Sequence, residues 1–164
     1  MSDPFTVMVA VNNTESAYWA AHQAVDVCRR MQTEYRLLIV YCVALNPQQS
    51  LPGIDRLERA FNVEIEASAE KEIDDCRVAL QDKLGDKVSY EFFVVEGEGE
   101  TGPVLEKASA SAQYIKEMHP QTNMFFIGTR NNSGLKRWAL GSVSDYCVHH
   151  FDIPVVVVKS KPLQ

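Results

Sequence analysis

"IGTRNNSGLKRWALGSVSDYCVHHFDIPVVVVK", residues 127–159, sets an apolar segment, a loop rich in Asn and Gly, a helical pattern and a second apolar segment in series. Gly128 closes the first apolar segment, and without a Cβ the backbone there is free to turn sharply and approach a ligand. Asn131, Asn132 and Gly134 are residue types that tolerate positive φ. A loop of such residues can turn several amide N–H groups inward as an anion nest. Gly141 and Ser142 then open a helix whose first-turn amides favour phosphate, each charge–dipole contact being worth roughly 0.3–1 kcal/mol. Arg130, Lys136 and Arg137 stand near enough in the chain to add positive charge. A second reading needs no ligand: Ser142, followed three residues later by Asp145, resembles a capping box. Residue types alone leave both readings open.

Outward from this loop the alternation repeats. FTVMVAV (Phe5–Val11) is short, β-branched and almost wholly apolar, as suits a strand covered on both faces. NNTES follows as a turn ending in Thr or Ser before a helix. Ala17, Ala20, Ala21, Ala24, Val25 and Cys28 recur at helical spacing, and Arg29 and Arg30 suit the negative end of the helix dipole. YRLLIVYCVAL is a second strand, ending near Val43. Beyond the loop NPQQSLPG, an apolar stripe from Leu57 through Phe61, Ile65, Ala69, Ile73, Cys76 and Leu80 to Leu84 marks a long helix, with room for a break at its front. VSYEFFVV is a third strand and EGEGETG a loop. Pro103 falls where a first helical residue would, and Val104, Leu105, Ala108, Ala112 and Ile115 make the next stripe. NMFFIG, GSVSDYCVHHF and IPVVVVK complete the series as strand, helix and strand.

Strands alternating with helices in this way predict an α/β, Rossmann-like fold: a doubly wound five-stranded parallel sheet, one domain over residues 1–164. Ligands of such sheets bind beyond the carboxyl ends of the strands, where strand order reverses. The first and fourth strands are the natural neighbours there. VNNT and GTRNNSG then share one edge of the sheet.

The 164 residues carry a net charge of −6, and 46% are hydrophobic, enough for a real core. An acidic surface argues against nucleic acid or an anionic membrane as the main partner. No apolar stretch is long enough to span a bilayer and no charged-then-apolar leader precedes Phe5, so the expectation is a cytoplasmic protein. Cys28, Cys42, Cys76 and Cys147 form no CxxC pair and sit among apolar residues, as buried free thiols do in a reducing compartment. His149 and His150 invite a metal reading, but adjacent helical residues point in different directions, and both suit a helix C-terminus. Trp19 and Trp138 fit core, interface or lid equally. No nucleophile–base–acid arrangement is legible, and no Walker lysine follows the Gly-rich residues, so dedicated catalysis is not indicated.

GTRNNSGLKRWALGSVSDYCVHH followed by IPVVVVK closely resembles the carboxyl-terminal half of the universal stress protein family. The family's nucleotide signature runs Gly, two residues, Gly, nine residues, then Gly and Ser or Thr. Gly128 fits, Asn131 stands in place of the second Gly, and Gly141-Ser142 fit at the correct distance. Arg130 and Gly134 match further common positions. VMVAVNNTES is similar to the family's first strand and turn, with Asn12 where ATP-binding members carry an aspartate beside the adenosine. VVEGEGETGPVLEKA is similar to the family's Gly-Asp-Pro helix entry. The resemblance covers nearly the whole chain and is weakest between Asn46 and Leu84.

The resemblance implies the strand order 3-2-1-4-5 and a cleft for ATP or a related adenine nucleotide, with Mg²⁺ accompanying the phosphates. Val11 and Asn12 would contact the base or ribose, and Val43 would line the adenine pocket. Gly128, Arg130, Asn131, Gly141, Ser142, Val143 and Ser144 would surround the ribose and phosphates. Hydrolysis would be slow at most. The amide of Asn12 still accepts one hydrogen bond and adds a donor, and losing one such bond costs on the order of 0.5–1.5 kcal/mol. The alternative is a nucleotide-free stress protein that acts through its dimer surface and protein partners. In that case Asn131 fills the phosphate site.

The last apolar run bears on assembly. Val155 to Val158 are four consecutive β-branched residues, as expected of a strand covered on both faces. Its outer backbone edge invites pairing with another chain. Pairing with its own copy about a two-fold axis would satisfy that edge in a closed homodimer through Val155–Lys159. The same arrangement is implied by the resemblance.

Overall fold

The computed structural model describes residues 3–47, 53–110, 121–130 and 140–160. Along the chain run β1 (Phe5–Val11), α1 (Glu15–Arg30), β2 (Tyr35–Leu45), α2 (Ile54–Leu84), β3 (Glu91–Glu98), α3 (Thr101–Ala110), β4 (Met124–Thr129), α4 (Ser142–His150) and β5 (Val155–Lys159), with a 3₁₀ turn at Gly85–Lys87 after α2. The five strands form one sheet in the order β3-β2-β1-β4-β5, and every pairing is parallel. This is the expected doubly wound sheet, with β1 at its centre. The chain leaves β1 toward β2 and later returns on the other side as β4. The strand order therefore reverses between β1 and β4.

The period of two in the strands divides the core. Val7, Val9 and Val11 of β1 join Leu37, Ile39, Tyr41 and Val43 of β2 on the face covered by α1 and α2. Met8, Leu38, Val40, Phe125 and Ile127 point to the other face, with Val104, Leu105 and Ala108 of α3 and Cys147 of α4. Ala17, Ala20, Ala21 and Ala24 of α1 are all buried. Such small side chains let that helix lie close on the sheet.

Four boundaries differ from expectation. β2 runs on to Leu45, and β3 spans Glu91–Glu98, three residues later than its apolar run suggests. The polar end of β3 is held by pairing, with Val43 opposite Glu96 and Leu45 opposite Glu98. An edge strand exposes such side chains without penalty, so polarity there does not mark a loop. α3 begins at Thr101, which makes Pro103 its third residue, still within the turn whose amides need no helical partner. α2 is continuous over 31 residues.

The stripe of α2 does not bury evenly. Ala69, Cys76, Leu80 and Leu84 are buried, whereas Leu57 is 60% and Phe61 54% exposed. A helix of 31 residues is about 46 Å long at 1.5 Å per residue and outruns the sheet it packs on. Ala112 and Ile115, expected in the α3 stripe, lie outside the described residues.

Candidate functional site

A cleft of about 540 Å³ opens at the carboxyl ends of β1 and β4, at the reversal of strand order. The first turns of three helices border it: Ser16 and Ala17 of α1, Thr101 and Leu105 of α3, and Ser142 to Ser144 of α4. Of the residues singled out in the sequence, Val11, Asn12, Gly128, Arg130, Gly141, Ser142, Val143 and Ser144 all line this one cleft. They come from parts of the chain more than a hundred residues apart, joined because β1 and β4 pair, from Val7 opposite Met124 to Ala10 opposite Ile127. Asn131 lies outside the described residues, as do Asn132, Gly134, Lys136, Arg137 and Trp138.

The loop after β1 is held by its own side chains. Thr14 caps α1, its Oγ1 accepting from the Ala17 amide at 3.4 Å and donating to Asn12 Oδ1 at 2.5 Å. The Thr14 amide donates to the Asn12 carbonyl at 2.8 Å, and Tyr18 Oη donates to Asn13 Oδ1 at 2.7 Å. With Oδ1 engaged by Thr14, Asn12 offers a ligand its amide N–H, where an aspartate would offer only an acceptor.

At α4 the capping-box reading fails. Gly141, not Ser142, is the N-cap, with φ −66° and ψ 155°, and no side chain caps the helix. A box requires the hydroxyl residue at the cap itself, and Ser142 is the first helical residue. The Asp145 amide donates to the Gly141 carbonyl at 2.8 Å, and Ser144 Oγ donates to the same carbonyl at 2.9 Å. The Gly141 amide reaches Thr129 Oγ1 at 3.4 Å, tying the cap to the end of β4. The amides of Ser142, Val143 and Ser144 precede the first residue with a partner inside the helix. Their residues line the cleft, with Arg130 on the same wall.

Two expected roles change. Gly128 lies inside β4 opposite Val158 and has no positive φ, so it makes no sharp turn. Its missing Cβ makes room for the first turn of α1. Val43 does not line this cleft. It points to the α1–α2 side and borders a separate hollow of about 450 Å³ with Phe61, Ile65 and Ala69. The β2 residues that line the cleft are Tyr41 and Cys42, one from each face of the sheet. Burial pushes the Cys42 thiol up to about 12. The cleft wall there is accordingly neutral and apolar, continued by Ala10, Leu105 and Ile127.

Sequence reading missed Thr14, Ser16, Cys42, Thr101 and Thr129 as cleft residues. Thr14 carried a signal as a helix cap, whereas Tyr41 and Cys42 line the cleft from opposite faces of β2, so strand alternation selects neither. Thr101 carried none, because only tertiary packing brings α3 to the cleft. The histidines behave as end groups of a helix. Nδ1 of His149 donates to the Asp145 carbonyl at 2.8 Å and Nδ1 of His150 to the Tyr146 carbonyl at 2.9 Å, since a carbonyl can only accept. Trp19 packs against the core and stacks on His22 at 5.2 Å between ring centroids. Among the described residues no group of three or more His, Cys, Asp or Glu side chains is placed to hold a metal. No helix among them is long and apolar enough to cross a membrane.

The fold has solved counterparts. The universal stress protein UspA from Lactobacillus plantarum superposes with a TM-score of 0.65 at 21% identity, covering 96% of this chain and 99% of that one. A universal stress family protein from Burkholderia pseudomallei gives a TM-score of 0.58 at 20% identity, covering 93% and 94%. A universal stress protein solved in complex with cAMP gives 0.54 at 17% identity, covering 98% and 100%. No curated protein matches the sequence at a significant level. The family model for universal stress proteins matches residues 5–159, from the first residue of β1 to the last of β5, and the chain belongs to the universal stress protein family.

Proposed function

We propose that the cleft binds ATP or a related adenine nucleotide and that the protein acts as a nucleotide-responsive binding protein of the stress response. One observation carries this reading: the α4 N-terminus, with no side-chain cap, opens onto the cleft beside Arg130. First-turn amides with no side-chain cap among the described residues, together with a guanidinium, suit a phosphate. The volume lies within the range of about 300–1,000 Å³ usual for small-molecule pockets. The apolar wall at Ala10, Cys42, Leu105 and Ile127 suits a base, and the polar edge at Asn12, Thr14 and Ser142 suits a ribose and phosphates. The related protein solved with cAMP supports an adenine ligand. The described lining holds no carboxylate. Mg²⁺ would therefore ride on the nucleotide's own phosphates and water, and no protein ligand is assigned to it.

Calorimetry with ATP and Mg²⁺, and separately with cAMP, tests this. Saturable heat with either supports an adenine-nucleotide site, and silence with both at millimolar concentration overturns it. The proposed assembly is a homodimer through Val155–Lys159, because β5 is an edge of the sheet. The proposed compartment is the cytoplasm, where four unpaired thiols are at home.

A further inference from the structure

Two of the cleft's walls are the beginnings of α3 and α4, and the Tyr146 side chain packs between them. Tyr146 of α4 presses its ring on Gly102, the second residue of α3. A methyl group on Gly102 would lie 2.6 Å from Tyr146 Cδ1, 2.7 Å from Cγ and 3.0 Å from Cβ. Any side chain at that position has to displace the Tyr146 ring or move the two helices apart. One turn further along α3, Glu106 Oε2 accepts from Tyr146 Oη at 2.6 Å. The ring is thus seated at one end and tethered at the other. Its outer face stacks on His150 at 3.9 Å and 9°, and His150 is itself anchored to the Tyr146 carbonyl at 2.9 Å. Thr101 and Leu105, on either side of Gly102 in α3, line the cleft, and so does the start of α4 one turn before Tyr146.

We propose that Tyr146, seated on the bare backbone of Gly102, is a positioning residue. It sets the separation of the α3 and α4 N-terminal turns and so holds the α4 amides at the place a phosphate needs. This inference rests on the nucleotide reading of the cleft and adds to it the part that sets its width. Tyr146 touches no ligand itself. Its effect should fall on phosphate and not on the base, which meets the apolar wall.

The test compares ATP and adenosine binding by calorimetry in the full chain. Tyr146→Ala removes the spacer and is expected to weaken ATP about tenfold, or ~1.4 kcal/mol, with adenosine changed less than about twofold. Tyr146→Phe keeps the spacer and is expected to bind both like the parent. Gly102→Ala displaces the ring or moves the helices apart and is expected to act as Tyr146→Ala does; should it fail to fold, the two Tyr146 variants decide alone. Unchanged ATP binding in Tyr146→Ala, or equal losses for ATP and adenosine, overturns the proposal. If the parent protein binds neither compound and cAMP gives no heat either, the nucleotide reading itself fails. Spacing is then judged on the ligand-free protein. Because the lost ring current alone moves nearby amide NMR shifts, the deciding readout is a spin-label distance between the first turns of α3 and α4. A change in Tyr146→Ala but not in Tyr146→Phe upholds the spacer, and an unchanged distance in Tyr146→Ala overturns it.

Discussion

A methyl group placed on Gly128 would lie 2.3 Å from the Ser16 carbonyl oxygen and 3.0 Å from the Ala17 amide nitrogen. Both are backbone atoms of the first turn of α1, which no rotamer change can move aside. Gly128→Ala must lift α1 from β4. The expected cost lies at the upper end of the ~1–3 kcal/mol typical of overpacking. Thermal unfolding should show a fall in Tm of roughly 2–4 °C per kcal/mol for a chain of this size. An unchanged Tm would mean that α1 adjusts freely.

Tyr41 Oη donates to Glu72 Oε2 at 2.6 Å, linking β2 to the middle of α2. Burial, reinforced by this bond, pushes the Tyr41 hydroxyl well above its usual value. Tyr41→Phe keeps the ring and removes the bond. Glu72 is exposed and rehydrates, so the expected loss is near the low end of ~0.5–1.5 kcal/mol. Urea denaturation checks it, and a loss above about 3 kcal/mol would show that the hydroxyl does more than this bond.

Alkaline pH should weaken the fold through its thiols. Burial pushes Cys28 up to about 11 and Cys147 up to about 12. Unfolded thiols ionise near about 8.5. Between these values the folded state keeps protons that the unfolded state releases, so stability is full below about pH 8.5 and declines as pH rises. Each thiol contributes a slope of at most ~1.4 kcal/mol per pH unit. Urea midpoints measured from pH 8 to 10 should fall, and Cys28→Ala should flatten the decline. Identical slopes in parent and variant would contradict the assignment.

The dimer reading can be tested at the β5 backbone. The Phe125 amide donates to the Pro154 carbonyl at 2.9 Å, and the Ser160 amide to the Thr129 carbonyl at 3.3 Å. Strand residues alternate, so Val156 and Val158 face β4 with their backbone groups, while Val155, Val157 and Lys159 face outward. Val158 is also core, at 8% exposure, which makes its replacement by Lys a test of folding and not of assembly. Val157→Pro removes one outward N–H and leaves the β4 ladder whole. Light scattering at tens of micromolar should show the parent as a dimer and Val157→Pro as a folded monomer. A monomeric parent, or a variant that stays dimeric, would place assembly elsewhere or nowhere.

Much of this architecture follows from local pattern. A short β-branched run such as FTVMVAV suits a strand covered on both faces, and alternation of such runs with helical stripes leads to a parallel doubly wound sheet. The reversal point between β1 and β4 follows from the order 3-2-1-4-5. That order, and the grouping of Val11, Asn12, Arg130 and Gly141 to Ser144, were implied by the resemblance to the universal stress protein family, and the reversal between β1 and β4 is what joins those residues in one cleft. Polar strand ends were illegible for the opposite reason. Glu96 to Glu98 are strand only because β2 supplies a ladder, and a ladder partner is not a local property.

Residue types and their periods belong to the sequence alone: which segments are strands, which helices, and which loops carry glycine and asparagine beside a helix start. Facing and proximity were decided by the tertiary structure. It put Tyr41 and Cys42 at the cleft and Val43 at a separate hollow, assigned the missing Cβ of Gly128 to α1, and brought Thr101 to the cleft with Tyr146 seated behind it on Gly102. The physical reason is that a side chain's chemistry is carried in its own atoms, whereas its neighbours are set by close packing of elements far apart in the chain.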